Sequence, residues 1–266
     1  MKIVRRVAVA ILITVFAGSM LASVLAPAGY AMQFREATNA SPSRQFLLGT
    51  DELGRDRFSR LLYGTRITLL LAPAAALLAT LVAALIGGIG GYLGGWWERA
   101  ALAAIDLFLS LPWLFLLLTI RALLPLNIAP LLSVVATFTL LGILGWAPSA
   151  RLVCAGTRAL RESDFMLLAR ANGNYRYRLL FKQILPNLKP VLYAQFMISI
   201  PIFILAEANL GVLGLGVSEP LPSWGNLLRE LENYSAVPHR PWMLAPPALL
   251  VLVVSCFHLI LSAEEL

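Results

Sequence analysis

Charge is scarce in this sequence. Aspartate, glutamate, lysine and arginine make up 13% of its 266 residues, against about 25% in a typical soluble domain. With 59% hydrophobic residues and a mean hydropathy of +0.79, the chain cannot cover a water-facing surface. Its main solvent is lipid. Cysteine is equally sparse. Cys154 and Cys256 stand far apart with no CxxC pair, which argues against a disulfide framework and a zinc site. The two histidines, His239 and His258, stand alone. There is no HExxH, no GxSxG and no GxxxxGKS/T phosphate loop, so the chain carries no ATPase motif of its own. The formal net charge is +7. No basic patch interleaves with aromatics, which argues against nucleic acid as its reason. Basic loops facing an anionic cytoplasmic leaflet account for it better.

What the sequence has is long apolar runs. A membrane span needs about 20 residues at 1.5 Å rise each. Six blocks qualify: Val7–Ala31, Ile67–Gly94, Ala100–Leu124, Ile128–Pro148, Val191–Gly216 and Met243–Leu261. The expected fold class is therefore all-α, a polytopic membrane protein of about six transmembrane helices. The first block follows "MKIVRR" and ends near "AGYA", in the manner of a secretory signal peptide. It is about twice as long as a signal core, so it reads as an uncleaved first span. The expected organisation is a tip and first span over 1–31, an outer segment over 32–66, and a core of five spans over 67–266. That core includes a cytoplasmic loop over 149–190 and an outer segment over 217–242.

Orientation follows from the cations. With the N-terminus inside, twelve of the 21 lysines and arginines fall in inner segments and nine in outer ones. The bias rests on Lys2, Arg5 and Arg6 and on the loop from Arg151 to Lys189. In that loop Tyr177, Leu180, Phe181 and Ile184 share one helix face. Ser163 suits an N-cap before Phe165–Ala171, Gly173 suits a helix C-terminus, and Pro186 suits a stop. The pattern predicts helix, glycine turn, helix. Such an element either rests on the membrane surface or docks a partner.

Carboxylates inside apolar spans are the next signal. Asp106 lies in the third block and Glu207 in the fifth, and both should face the protein interior or water. Glu207 precedes "ANLGVLGLG", whose glycines favour close helix packing. The stretch "LGTDELGRDRFSR" at Leu48–Arg60 is charged between apolar blocks. Phe58, Leu61, Leu62 and Thr65 form a helical stripe, Asp51 suits a cap, and Asp56 can pair with Arg60. A short amphipathic helix before the second span is expected, its charges facing water or neighbouring subunits.

In order and spacing, several strings resemble one family. "LLGTDELGRDRFSRLLYGTRITL", "GGIGGYLGGWWE", "GWAPSARLV", "LRESDF", "ARANG", "KQILPN", "ILAEANLGVLGLGV" and "LPSWGNLL" are similar to the inner-membrane permease subunits of binding-protein-dependent ABC importers, in the branch that handles di- and oligopeptides and nickel. The likeness covers nearly the whole chain after the first span. The family's coupling signature usually opens Glu-Ala-Ala, whereas this chain reads Leu167, Leu168 and Ala169.

The resemblance implies a transport subunit of a bacterial inner membrane, with its N-terminus cytoplasmic and no enzymatic activity of its own. It implies a second, homologous permease, two ATP-binding subunits that hold ATP and Mg, and a periplasmic binding protein that selects the solute. Arg161, Glu162, Asp164, Ala169, Arg170, Ala171 and Gly173 would couple to the ATPase. Leu180, Phe181, Ile184, Leu185 and Pro186 would anchor that element. Asp51, Glu52, Arg55, Asp56 and Trp224 would brace the periplasmic gate or touch the docked binding protein. Glu207 and Asp106 are pathway candidates. No metal and no cofactor is expected on this chain. A membrane-embedded enzyme and an ATP-independent transporter are the rival readings. Gly173→Val is expected to lower uptake and its coupling to ATP turnover while membrane insertion, read by immunoblot, stays unchanged.

Overall fold

The computed structural model describes residues 2–125, 129–171, 179–232 and 238–262. Eleven labels suffice for its longer helices: α1 Lys2–Met20, α2 Ala22–Leu25, α3 Arg57–Leu93, α4 Gly95–Ser110, α5 Trp113–Leu123, α6 Pro130–Leu144, α7 Ala147–Arg161, α8 Asp164–Ala171, α9 Lys189–Val212, α10 Trp224–Arg229 and α11 Ala245–Ser262. Among the described residues five helical stretches are long and apolar enough to cross a membrane, or six where the bent pair counts as one span. The all-α, polytopic fold class is as expected.

The bent pair is the third expected block. Ala100–Leu124 is not one straight helix, because α4 and α5 meet at 81°. The cause is Pro112. It has no N–H to give and forces the residue before it out of the helical region, and Leu111 is accordingly extended at φ −88°, ψ 135°. In the fourth block the helical path does not close at Pro148. Pro130–Arg161 qualifies as one candidate span, so the expected loop over 149–190 begins as helix. The first span is shorter than expected, since Ala26 is already extended.

The chain divides into two compact units. One comprises Met1–Ala72, Ile120–Phe138 and Pro201–Leu266, the other Pro73–Thr119 and Thr139–Ile200. In the first, α1 packs on α11 through Ala8, Cys256 and Ile260. In the second, two apolar clusters form. Ala83, Ile105, Trp146, Ala147 and Ala150 make one. Tyr92, Val153, Met166, Leu179, Ile184 and Leu188 make the other.

Glycine sets how closely α3 and α7 approach. Gly87 and Gly91 lie one turn apart on α3. A Cβ on Gly91 would stand 2.5 Å from the Cys154 carbonyl oxygen, and one on Gly87 would collide with the Ala150 carbonyl. Small residues at such seams let backbones touch, which is how helices pack where lipid removes the hydrophobic drive. Gly91→Ala is expected to destabilise the chain by about 1–3 kcal/mol through this overlap. Gly88→Ala, with open space around its Cβ position, should stabilise it by up to about 1 kcal/mol. Thermal unfolding of the detergent-solubilised variants measures both.

Candidate functional site

The charged stretch before the second span folds as a turn, not as a separate helix. The amphipathic helix expected there is the first two turns of α3, which starts at Arg57 and runs unbroken for 37 residues. Before it, Thr50 and Asp56 form an isolated antiparallel bridge. Asp51 does not cap a helix. Its Oδ1 accepts the N–H groups of Leu53 at 2.9 Å and Arg55 at 2.8 Å, closing a local turn. The cap is Asp56, whose Oδ2 accepts the Ser59 N–H at 2.8 Å and the Ser59 hydroxyl at 2.5 Å. An aspartate at the cap lies outside the helical register, so the expected Asp56–Arg60 pair does not form.

Arg60 turns instead to Glu219. Its Nη2 stands 2.9 Å from Glu219 Oε1 and its Nε 3.8 Å from Asp51 Oδ2. Arg55 spans the same two acids, at 2.6 Å to Asp51 Oδ2 and 2.6 Å to Glu219 Oε2. Arg57 pairs with Glu230 at 2.8 Å and donates to the Thr50 carbonyl at 2.9 Å. Asp51, Arg55, Asp56 and Arg60 are buried within the chain, which excludes the first of the two expected placements, water or neighbouring subunits. Only Glu52 is exposed. Burial pulls the Arg55 guanidinium down, but its hydrogen bond to Asp51 and the charges of Glu219 and Asp51 lift it above its ordinary value. Burial pushes the Glu230 carboxyl up against the pull of Arg57. A cavity of about 420 Å³ opens beside this cluster, lined by Glu52, Arg55, Glu219, Glu230 and Arg240 among others.

Trp224 is a pillar of the same unit. It is fully buried and its indole N–H donates to the Thr65 hydroxyl of α3 at 2.9 Å. Ser223 caps α10 by accepting the Asn226 N–H at 3.3 Å. Glu207 lies beneath α10, fully buried, its Oε2 taking the Gly225 N–H at 3.4 Å. The Ser223 hydroxyl also bonds to it, and it opens onto no surface.

In the other unit, α7 ends in a charged knot. Glu98 at the start of α4 faces Arg158 at 3.5 Å and Arg161 at 3.9 Å, and Arg161 also holds Glu162 at 3.0 Å. The Arg161 guanidinium lies against Gly94, which has φ +68° and leaves room for it. Helix α8 follows as the sequence predicts, but Ser163 does not cap it with its side chain. Its hydroxyl donates back to the Leu160 carbonyl at 2.5 Å. Met166 of α8 is fully buried with Ile184, and Ala169 and Leu180 pack on the same cluster. Pro186 stops nothing. The chain passes through a π-helical turn at Leu180–Ile184 and a single turn at Leu185–Asn187 into α9. Gly173 and Tyr177 lie outside the described residues, as do the side chains of Arg170, Ala171 and Phe181. Asp106 is exposed on α4 and pairs with Arg151 of α7.

The sequence reading missed Glu219, Glu98 and Glu230 as partners. Each is a lone acid far from its cation in sequence. The one available signal for Glu219 was its place between two quoted motifs, in "VSEPLPSW".

The model of the family described as binding-protein-dependent transport system inner membrane component matches residues 79–263. A protein named as a peptide permease in Brucella suis biovar 1 is 35% identical over 225 residues, covering 84% of this chain and 72% of the relative. The glutathione transport system permease protein GsiD of Escherichia coli O1:K1 / APEC is 34% identical over 223 residues, with 84% and 71% covered. The oligopeptide transport system permease protein OppC of Bacillus subtilis is 31% identical over 207 residues, with 78% and 65% covered.

Arg60→Gln would leave Asp51 and Glu219 facing each other with one guanidinium fewer. Because Glu219 is half-exposed, solvent discounts the full value of a buried pair, and a loss of about 1–3 kcal/mol is expected. Arg35→Gln, at an exposed position, should stay within about 0.5 kcal/mol of the parent. Chemical or thermal unfolding of purified protein compares them.

Proposed function

The chain belongs to the family of binding-protein-dependent transport system inner membrane components, and we propose that it carries peptides into the cell. It is a membrane permease subunit of an ABC transporter. The observation that carries the cargo reading is that relatives covering about four-fifths of the chain are named for oligopeptide, glutathione and peptide transport. Chain and solute then meet without covalent chemistry. The subunit supplies half of a pathway, beside a second permease. A binding protein delivers the solute from the periplasm. Two ATP-binding subunits hold ATP and Mg and drive the change in access.

The coupling element in this proposal is the run from Arg161 to Pro186. Its support is mechanical. A push can be transmitted only by an element that moves as a body. Helix α8 is seated by Met166 in a cluster with Val153 of α7 and Ile184, and the Arg161–Glu98 contact secures the end of α7 to α4. With Arg161, Glu162 and Asp164 at the mouth of this element and Ala169 and Leu180 packed against its base, the docked ATPase would move helices, not a loose loop. The N-terminus is assigned to the cytoplasm, which puts Asp51, Arg55, Asp56 and Trp224 on the periplasmic side as a brace for the gate. Asp106, exposed beside Arg151, is the better of the two pathway candidates, since Glu207 is enclosed.

The test is reconstitution. The complex purified from native membranes should contain ATP-binding subunits. In proteoliposomes with its binding protein it should accumulate radiolabelled Ala-Ala or glutathione only when ATP is supplied to the coupling face. Purification without any ATPase, or ATP-independent accumulation, would sink this reading.

A further inference from the structure

Arg121, on the last turn of α5, is fully buried. A guanidinium keeps its charge in a protein and carries five N–H donors. Here Nη2 donates to the Ser133 hydroxyl at 2.9 Å and to the Gly216 carbonyl at 3.0 Å, while Nε and Nη1 have no acceptor. Ser133 also receives the Ser218 N–H at 3.1 Å and lies 3.0 Å from the Ser218 hydroxyl. Among the described residues no carboxylate stands within ion-pair distance of Arg121. Glu207 has the complementary deficit. It is fully buried, is held by the Ser223 hydroxyl and, at 3.4 Å, by the Gly225 N–H, and its Oε1 has no donor. A buried charge without a counter-charge costs several kcal/mol, whereas pairing recovers much of that.

These two residues flank one seam of three glycines. A Cβ on Gly216, whose carbonyl holds Arg121, would lie 2.6 Å from Gly211 Cα. A Cβ on Gly225 would lie 2.7 Å from Gly211 Cα and 2.9 Å from Glu207 Oε1. Gly211 stands one turn after Glu207 on α9. Beyond it Gly214, at φ +75°, reverses the chain, and the Leu215 N–H closes the turn on the Leu210 carbonyl at 2.8 Å. At this seam the backbones meet directly, and the Asn226 amide of α10 donates to the Val217 carbonyl at 2.7 Å, so a shift of the Gly211–Val217 turn over α10 exchanges that hydrogen bond. Arg121, tied to Gly216, would travel with it.

We propose that Arg121 and Glu207 are each other's counter-charges, joined in an ion pair in another state of the transport cycle by movement of the Gly211–Val217 turn. The pair is a latch. In the described state each charge is held by backbone and hydroxyl groups, and in the other the two charges satisfy one another. The proposal rests on the transporter reading only for the existence of that cycle.

The test exchanges the charges in the full, reconstituted transporter and reads Ala-Ala uptake per ATP hydrolysed, with membrane levels matched by immunoblot. Arg121→Glu and Glu207→Arg should each lower that ratio by about tenfold or more, since each strands two like charges in a buried place. The two changes together should recover it to within about threefold of the parent. If Arg121→Glu fails to insert, neutral variants replace it: Arg121→Gln with Glu207→Gln should couple better than either single change. An exchanged or doubly neutral chain no better than the worse single variant overturns the latch. So does an Arg121→Gln chain that merely loses its preference for Ala-Ala over Ala-Ala amide, because Arg121 then reads the solute's carboxylate. A parent complex that takes up no peptide would count against the transport reading, not against the pair.

Discussion

Arg60 has 1% of its side chain open to solvent, and Glu219 meets its charge there at 2.9 Å, with Asp51 at 3.8 Å. Arg60 and Glu219 are far apart in the chain, yet their contact decides how the segment before the second span is folded. Once Glu219 is committed to Arg60 and Arg55, Asp51 is free to close its own turn and Asp56 to cap α3. The start of α3 is thereby fixed at both backbone and side chain. Arg57 adds a third connection, through Glu230, to the short helical stretch after α10. A buried ion pair is not automatically stabilising, but breaking one partner is costly. The geometry here gives Asp51 and Glu219 two cations each, Arg55 and Arg60, which is how their desolvation penalty is met.

The rest of the same unit depends on glycine where this cluster depends on charge. Gly211, Gly216 and Gly225 bring α9, its following turn and α10 to backbone contact, and Trp224 then reaches Thr65 on α3. In the other unit the same device, Gly87 and Gly91 against α7, brings the charged end of α7 over Gly94. Close backbone approach leaves no side-chain volume to buffer a movement. It therefore suits parts that must either hold rigidly or shift as bodies.

Much of this was legible in the sequence, and the failures have physical causes. The spans were readable because hydropathy over twenty residues is a property of composition. The break in the third was available too, since Leu111–Pro112 sits mid-block and a proline there forbids a straight helix. Asp51 and Asp56 exchanged roles because spacing rules presume where the helix begins, and that beginning is set by a turn whose hydrogen bonds are local but not periodic. Ser163 and Pro186 failed as cap and stop for a related reason. Tertiary packing by Met166 and Ile184 fixes the path of that loop more strongly than single-residue preference does. Glu219, Glu98 and Glu230 were invisible as partners because long-range pairing leaves no period. Glu207 was visible as a charge in apolar surroundings, Arg121 counted only among the outer cations, and neither showed as a neighbour of one glycine seam.

In the proposed function the Leu48–Asp56 segment is a structural brace held from within the chain, not a surface waiting for a partner. Amide hydrogen exchange in the reconstituted complex reads this directly. The N–H groups of Gly49, Thr50, Asp51, Leu53, Gly54 and Arg55 are all bonded inside the chain, to Phe46, Ala40, Arg55, Asp51, Asp51 and Asp51 respectively. A brace of this kind exchanges slowly across this segment with or without the binding protein. Fast exchange that becomes protected only when the binding protein is added would contradict it.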